Sequence, residues 1–435
     1  FSARFSFNDR GFVTRPLDPL WFDCGLGMTR HRLALPYQHK LVSLSLAFAL
    51  VASLLSTSTA SDHDVVARIS AGAFHTCAVI VHDVSGDEEM SPMELLRRPH
   101  HRHIHCWGRD VNGQARVPRS VARSGGFDWV EVSSGYFHSC GVYHPTGDTE
   151  KMACWGDNGV GCAEVPPDAA SLLEKEGLET LLTGEAHTCL QTKEGSLMCW
   201  GDKDSGLNLA FSAHESDMGE SRSICLGSQH MCAVTKRGEL RCWGKLWTHD
   251  EVATPAAPHS IVDSNNRGRT YEKAVCGKEH TCAIASDHTL FCFGRDDYDQ
   301  STVPLPSSVR DTTAVTTSQD GKKELLWRDV CVGCLHTCGI LGDGRLYCWG
   351  ARDEGQLSIP EKYKKSGAAM GVTCGCWHTC VKTLAGRVQC FGHNSEKQVE
   401  VPLHFHDGAQ SLIGNKKSVL LAVAVSALLS VMLYY

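Results

Sequence analysis

A two-part motif recurs seven times along this chain, and no other feature constrains its fold as strongly. The first part is Gly-x-x-His followed by Ser, Thr or Met and then Cys; the second, further on, is Cys-Trp-Gly or Cys-Phe-Gly. The histidines are His75, His138, His187, His230, His280, His336 and His378, separated by 63, 49, 43, 50, 56 and 42 residues. A drifting period of about fifty suits the blades of a propeller better than the units of a helical solenoid.

Strand periodicity is legible inside a repeat. From Cys232 to Cys242, alternation puts Cys232 and Val234 on one face of a strand and Leu240 and Cys242 on one face of the returning strand, with Lys236-Arg237-Gly238 as the turn. Repeats 3, 6 and 7 keep the layout with Glu194-Gly195, Asp343-Gly344 and Ala385-Gly386. The two cysteines then face each other across a hairpin, within disulfide range. Seven bonds are expected: Cys77–Cys106, Cys140–Cys154, Cys189–Cys199, Cys232–Cys242, Cys282–Cys292, Cys338–Cys348 and Cys380–Cys390. Each closes a short loop, worth about 2 to 3 kcal/mol before strain is counted. Metal binding is the alternative invited by Cys331-x-x-Cys334 and Cys374-x-Cys376, each near a histidine. Secretion and the regular pairing elsewhere favour disulfides, so no metal or other cofactor is assigned.

Composition narrows the setting. The 435 residues include 22 cysteines and 42% hydrophobic side chains, which excludes a disordered tail or a coiled coil and is hard to reconcile with a reducing cytosol. A net charge of -7 without a basic block argues against nucleic acid, whose phosphates demand clustered Lys and Arg. Met28 opens a basic stretch followed by the apolar run Leu41 to Leu55 and the small residues Ser58-Thr59-Ala60. This reads as a signal peptide over 28–60, with 1–27 as upstream sequence that is not translated. Ser418 to Tyr435 is an apolar tail behind a polar spacer and the small set Asp407-Gly408-Ala409. That order reads as a GPI-anchor signal over 408–435 with Asp407 as the lipid-anchor residue; a tail-anchoring helix is the alternative. The expectation is a propeller over 61–407, in the secretory pathway and on the outer face of the plasma membrane, with lipid rather than a basic patch holding an acidic protein there.

After each Trp-Gly or Phe-Gly comes a polar turn and, in most copies, a short strand expected to end in Pro: Asn112-Gly113-Gln114 to Val117-Pro118, Gly355-Gln356 to Ile359-Pro360, and Gln398 to Val401-Pro402. With these residues the repeats resemble those of the regulator of chromosome condensation family, which form seven-bladed β-propellers. The Cys-Trp-Gly form is similar to the disulfide-bearing version in plant crinkly-type receptor kinase ectodomains, and the Val-Pro endings resemble a secreted bacterial propeller that inhibits β-lactamases. The resemblance covers nearly all of 65–403 and implies an all-β fold: a single seven-bladed β-propeller with one intra-blade disulfide per repeat. Repeat 4 departs, with Lys245-Leu-Trp after Trp243-Gly244; repeats 5 and 7 carry Phe293 and Phe391; repeat 1 holds a long insertion from Val84 to His105. Blades 3 and 4 are expected to be the least regular. Of the remaining cysteines, Cys225 with Cys276, Cys331 with Cys374 and Cys334 with Cys376 are expected to join neighbouring blades, leaving Cys162 unpaired. Closure is expected by pairing Val65–Ser70 with Val399–Pro402, which removes two open edges.

The seven motif histidines are too far apart round a ring to share an ion, and are expected to satisfy backbone groups where strands converge. His100-His101-Arg102-His103-Ile104-His105 reads as a solvated loop, its alternatives being a transition metal or an anionic partner. The two residues before each His sit where the chain meets the face of the disc, and Phe74, Tyr136, Phe137 and Trp377 fall in repeats 7, 1 and 2, which closure makes neighbours. They read either as a binding face for a protein or as packing between blades; in the inhibitor propeller, the resemblance places the Gly-Tyr-Phe-His segment on the partner face. No nucleophile elbow, phosphate loop or zinc-protease helix is present, so the chain reads as no enzyme. The expected function is an extracellular, membrane-anchored, monomeric binding module for a protein ligand. The rival classes are a guanine-nucleotide exchange or chromatin regulator, as in the family's founding member, and a carbohydrate-binding surface protein.

Overall fold

Each motif builds one three-stranded antiparallel sheet. The sheets are blade 1 (Val65–Ala71, His75–Val81, Arg102–Gly108), blade 2 (Asp128–Ser134, His138–His144, Lys151–Gly156), blade 3 (Leu178–Thr183, His187–Thr192, Leu197–Gly201) and blade 4 (Ser221–Leu226, His230–Thr235, Leu240–Gly244). Blade 5 (Tyr271–Cys276, His280–Ala285, Leu290–Gly294), blade 6 (Trp327–Val332, His336–Leu341, Leu346–Gly350) and blade 7 (Ala369–Cys374, His378–Thr383, Val388–Gly392) follow. A fourth strand, His259–Ser260, extends blade 4, and a small hairpin, Val315–Thr317 with Lys323–Leu325, precedes blade 6. This computed structural model describes residues 65–81, 102–122, 127–145, 149–203, 221–244, 259–260, 269–309, 312–317, 321, 323–365 and 367–402. The chain divides into two compact units, 1–61 and 62–435, and all described residues lie in the second.

Middle strands are sandwiched on both faces, which is why they read as near-continuous apolar or small runs: His-Thr-Cys-Ala-Val-Ile-Val in blade 1 is buried throughout. Every inner strand slips register once near its start, as between Val66 and Arg68, and such a bulge bends and twists the strand. The core lies between blades rather than within them. Cys77 and Val79 of blade 1 pack with Trp129, Val132 and Trp155 of blade 2, and Val66, Ile80 and Trp107 of blade 1 pack with Cys380 and Val388 of blade 7.

One disulfide spans the middle and outer strands of each blade: Cys77–Cys106, Cys140–Cys154, Cys189–Cys199, Cys232–Cys242, Cys282–Cys292, Cys338–Cys348 and Cys380–Cys390. Three more cross between blades: Cys225–Cys276, Cys331–Cys374 and Cys334–Cys376. Cys162 is free and buried. These are seven blades of one β-propeller.

Three expectations from the sequence are corrected. The Val-Pro segments are not strands: Val117-Pro118, Ile359-Pro360 and Val401-Pro402 are extended leads, two of them into the short helices Arg119–Ala122 and Glu361–Lys365. A ten-residue helix over Pro167–Glu176, with Ala169 and Leu173 buried four apart on one side, fills the same place after blade 2. Closure does not pair Val65–Ala71 with Val399–Pro402. The first strand pairs only with its own blade's middle strand, and the C-terminal segment lies under blade 1's outer strand, where Gln398 O accepts the indole N–H of Trp107 at 3.0 Å. Finally, the end of the repeat 1 insertion is not loop, since Arg102 to His105 belong to the outer strand of blade 1.

The signal-peptide and lipid-anchor readings, Asp407 included, fall outside the described residues, as do His100 and His101. Among the described residues no helix is long and apolar enough to cross a membrane.

Candidate functional site

The Gly-x-x-His loops meet round the centre of the disc. There the N–H of the residue after the glycine donates to a carbonyl of the next blade: Ala73 to Gly135 O, Tyr136 to Gly184 O, Ser228 to Lys278 O, Lys278 to Gly333 O, Cys334 to Cys376 O and Cys376 to Ala73 O, all between 3.2 and 3.3 Å. The last of these bonds joins blade 7 to blade 1. Glycine is demanded because a Cβ on Gly72 would come within 2.3 Å of Gly135 O and 2.5 Å of the His75 ring, closer than real Cβ contacts allow.

Outside this ring runs a second one, made by the motif histidines. His75 Nε2 bonds Ser139 Oγ at 2.7 Å, His138 bonds Thr188 at 2.9 Å, His230 bonds Thr281 at 2.8 Å, His280 bonds Thr337 at 2.9 Å, His336 bonds Thr379 at 2.9 Å and His378 bonds Thr76 at 2.8 Å. Each hydroxyl belongs to the following blade. Where its own proton is traced it goes to a carbonyl, Ser139 to Gln114 O, Thr188 to Cys162 O and Thr337 to Gln300 O, so the imidazole Nε2–H must be the donor. The same carbonyls of Gln114 and Cys162 accept the indole N–H of Trp155 and Trp200. The histidines therefore satisfy a neighbour's hydroxyl, not backbone as expected. His187 alone does as expected, turning to Asp202 O at 2.8 Å because Met231 stands where the hydroxyl should be. The signal was the Ser/Thr/Met position itself.

Burial holds these imidazoles neutral. His75, His280 and His378 are lowered to about 3, and His138, His230 and His336 to about 4, in each case mainly by desolvation. Two groupings, His230 with Cys232 and Cys276 and His336 with Cys338 and Cys374, bring three ligand atoms within 4.8 Å of one another. Their sulfurs are committed to disulfides and carry no thiolate. Cys331 and Cys334 are bonded to Cys374 and Cys376 likewise.

Inside the ring lies a central cavity of about 90 Å³ to which all seven blades contribute. Tyr136 reaches from blade 2 to blades 6 and 7, its hydroxyl 2.9 Å from Cys334 Sγ and 3.8 Å from Cys376 Sγ. Burial first, then the Glu185 and Glu279 carboxylates, push that phenol up. Phe74, Trp377 and Leu335 pack, partly exposed, around Ala73 and the Cys334–Cys376 bond, and Phe137 meets Tyr136 edge-on at 6.2 Å. The structure thus brings Phe74, Tyr136 and Trp377 together at one mouth with Phe137 beside them.

Among the described residues the turn after Trp-Gly or Phe-Gly shares this face, because its first N–H donates to the residue before the motif His: Arg109 to Phe74 O, Asp157 to Phe137 O, Arg295 to Glu279 O and His393 to Trp377 O. Arg109 lies over the Phe74 ring at 5.5 Å and 3.8 Å from Glu396, while Arg295 pairs with Glu279 at 2.6 Å. Aromatic rings at the centre are rimmed by paired charges.

The profile of the regulator of chromosome condensation (RCC1) repeat matches residues 222–245, 272–300 and 327–356, which are blades 4, 5 and 6. The match covers three of the seven blades, which resemble RCC1 repeats. The yeast RCC1 protein Prp20, solved bound to Kap60, shares the propeller fold at a TM-score of 0.50 and 16% identity, over 77% of this chain and 82% of that one. The ectodomain of the Physcomitrella patens receptor kinase CR4 aligns over 76% of this chain and 74% of its own, at 18% identity and a TM-score of 0.47. Human probable E3 ubiquitin-protein ligase HERC4 is 26% identical over 254 residues, 56% of this chain. The chain spans only about a fifth of that relative's length, 19%.

Proposed function

We propose that this RCC1-type propeller is a binding module whose aromatic mouth receives a protein ligand, and that it has no reaction of its own. The observation that carries the reading is Tyr136, which crosses the mouth to the Cys334–Cys376 bond and leaves Phe74, Phe137 and Trp377 partly exposed around it. Rigid aromatic side chains beside a polar rim have the make-up of binding hot spots. Ten disulfides support an oxidising setting. With the signal-peptide and anchor readings of the two ends, they favour a monomer presented on the outer face of the plasma membrane and held through Asp407 by lipid. The yeast RCC1 structure, a complex with Kap60, is consistent with a partner-binding propeller.

The test is affinity capture from cell surfaces with the full chain and with Trp377→Ala and Phe137→Ala variants. Each truncation is expected to cost about 2 kcal/mol or more, roughly thirtyfold in affinity per folded molecule, with melting little changed. Lowered melting with unchanged capture would assign the rings to packing and move the ligand site elsewhere.

A further inference from the structure

The outer strand of blade 1 is seven residues long, Arg102–Gly108, where blades 3 to 7 manage with five. The surplus lies at its start and brings two histidines onto one face. His103 and His105 are exposed while Arg102, Ile104 and Cys106 between and beside them are half-buried, the alternation of a pleated strand. The repeat does not require them: at the place of His105 the other blades carry Ala153, Met198, Arg241, Phe291, Tyr347 and Gln389.

We propose that His103 and His105 form a chelating site for a divalent transition metal, with copper(II) the tightest ligand. Residues two apart on a strand lie about 6.6 Å apart at the backbone, so their imidazoles project side by side and can converge on one ion at about 2.0 Å each. The backbone is fixed. His103 is in register with Ile80 and His105 with Ala78 on the buried middle strand, and the Cys77–Cys106 disulfide clamps the residue next to His105. The His105 ring also leans on the Trp107 indole, 6.4 Å between centroids at 36°. As a loop this sequence would have to freeze its own geometry on binding; as a strand it meets the ion with the ordering cost already met. Imidazole suits copper, nickel and zinc, and affinity for such a site rises from zinc or nickel to copper. Water completes the coordination, since His103 and His105 are exposed.

The experiment is a calorimetric titration of the full chain with copper(II), nickel(II) and zinc(II) salts at neutral pH, with electron paramagnetic resonance of the copper form. One equivalent of copper with nitrogen hyperfine structure is expected, weakened at least tenfold by His103→Ala and by His105→Ala and unaltered by His393→Ala. Binding should weaken on acidification, since a ligating imidazole must be unprotonated. Wild-type copper affinity in the His103→Ala/His105→Ala double variant would overturn the assignment and pass the metal to histidines such as His100 and His101; an absence of binding to the wild-type chain would overturn it too.

Discussion

Blades 6 and 7 are joined by two disulfides, Cys331–Cys374 and Cys334–Cys376, by the His336–Thr379 bond and by Cys334 N to Cys376 O. Blades 3 and 4 meet through Leu182, Ile224, Leu226, Met231 and Trp243, with Gln191 Nε2 reaching Ser221 O at 3.4 Å and His187 turned back into its own blade. Two things set the difference: the pair of disulfides, and Thr379, which hydrogen-bonds a neighbour's imidazole where Met231 offers only a soft apolar surface. The propeller therefore tolerates exchange of a polar, covalent seam for a greasy one without losing its geometry, but the two seams should fail under different stresses.

Acid is the largest of these. A buried histidine held at about 3 or 4 stays neutral in the folded state, while the unfolded chain takes up the proton near pH 6.5. The stability this contributes is complete above about pH 6.5 and is lost as pH falls from there toward 3 to 4. Six such groups should make melting drop steeply between pH 6.5 and 4. Hydrogen exchange at pH 5 should show strands His187–Thr192 and Ser221–Leu226 opening before blades 6 and 7, whose seam two disulfides hold shut as the histidines take up protons. A melting temperature flat across this range would contradict the buried neutral ring.

Covalent stress comes next. Replacing Cys331, Cys334, Cys374 and Cys376 together with alanine should cost about 4 kcal/mol, the closure entropy of a loop of some forty residues. Removing either bond alone should cost under about 1 kcal/mol on the same account, because the other still closes nearly the same loop. Equal losses from the two single removals, summing to the joint loss, would show that the clasps act independently.

The smallest effect concerns Met231→Thr, which restores the hydroxyl that His187 lacks. A new hydrogen bond gains about 1 kcal/mol, but truncating a fully buried methionine costs about 2 kcal/mol or more. A net fall in melting of a few degrees is expected in thermal denaturation; a rise would mean that the polar seam is the better one even here.

Strand-local facts were legible in the sequence. Two-residue alternation and a glycine turn place Cys232 opposite Cys242, and those facts lie within a dozen residues. What joins one blade to the next was less so. The hydroxyls of Ser139, Thr188 and Thr281 share their position in the motif with Met231, and their partners lie 64, 50 and 51 residues away, so only the ring brings them together. The helix Pro167–Glu176 was missed for a related reason: after a Val-Pro lead only two of its side chains, Ala169 and Leu173, are buried, too few to stand out as a periodic face. At the mouth, the neighbourhood of Phe74, Tyr136 and Trp377 followed from closure alone, whereas the reach of Tyr136 to Cys334 depends on a side-chain direction that no spacing encodes.

Trp107 donates to Gln398, 291 residues further along the chain. On a ribosome adding about 5 to 20 residues per second, the first blade waits roughly 15 to 60 s for the segment that covers it. Throughout that interval Val66, Ile80 and Trp107 lack Val388 and Val401, the side chains that will bury them. Blade 1 is thus the first made and the last finished. During synthesis its unfinished flank is the surface a chaperone would hold, or another nascent copy would capture by lending its own C-terminal segment.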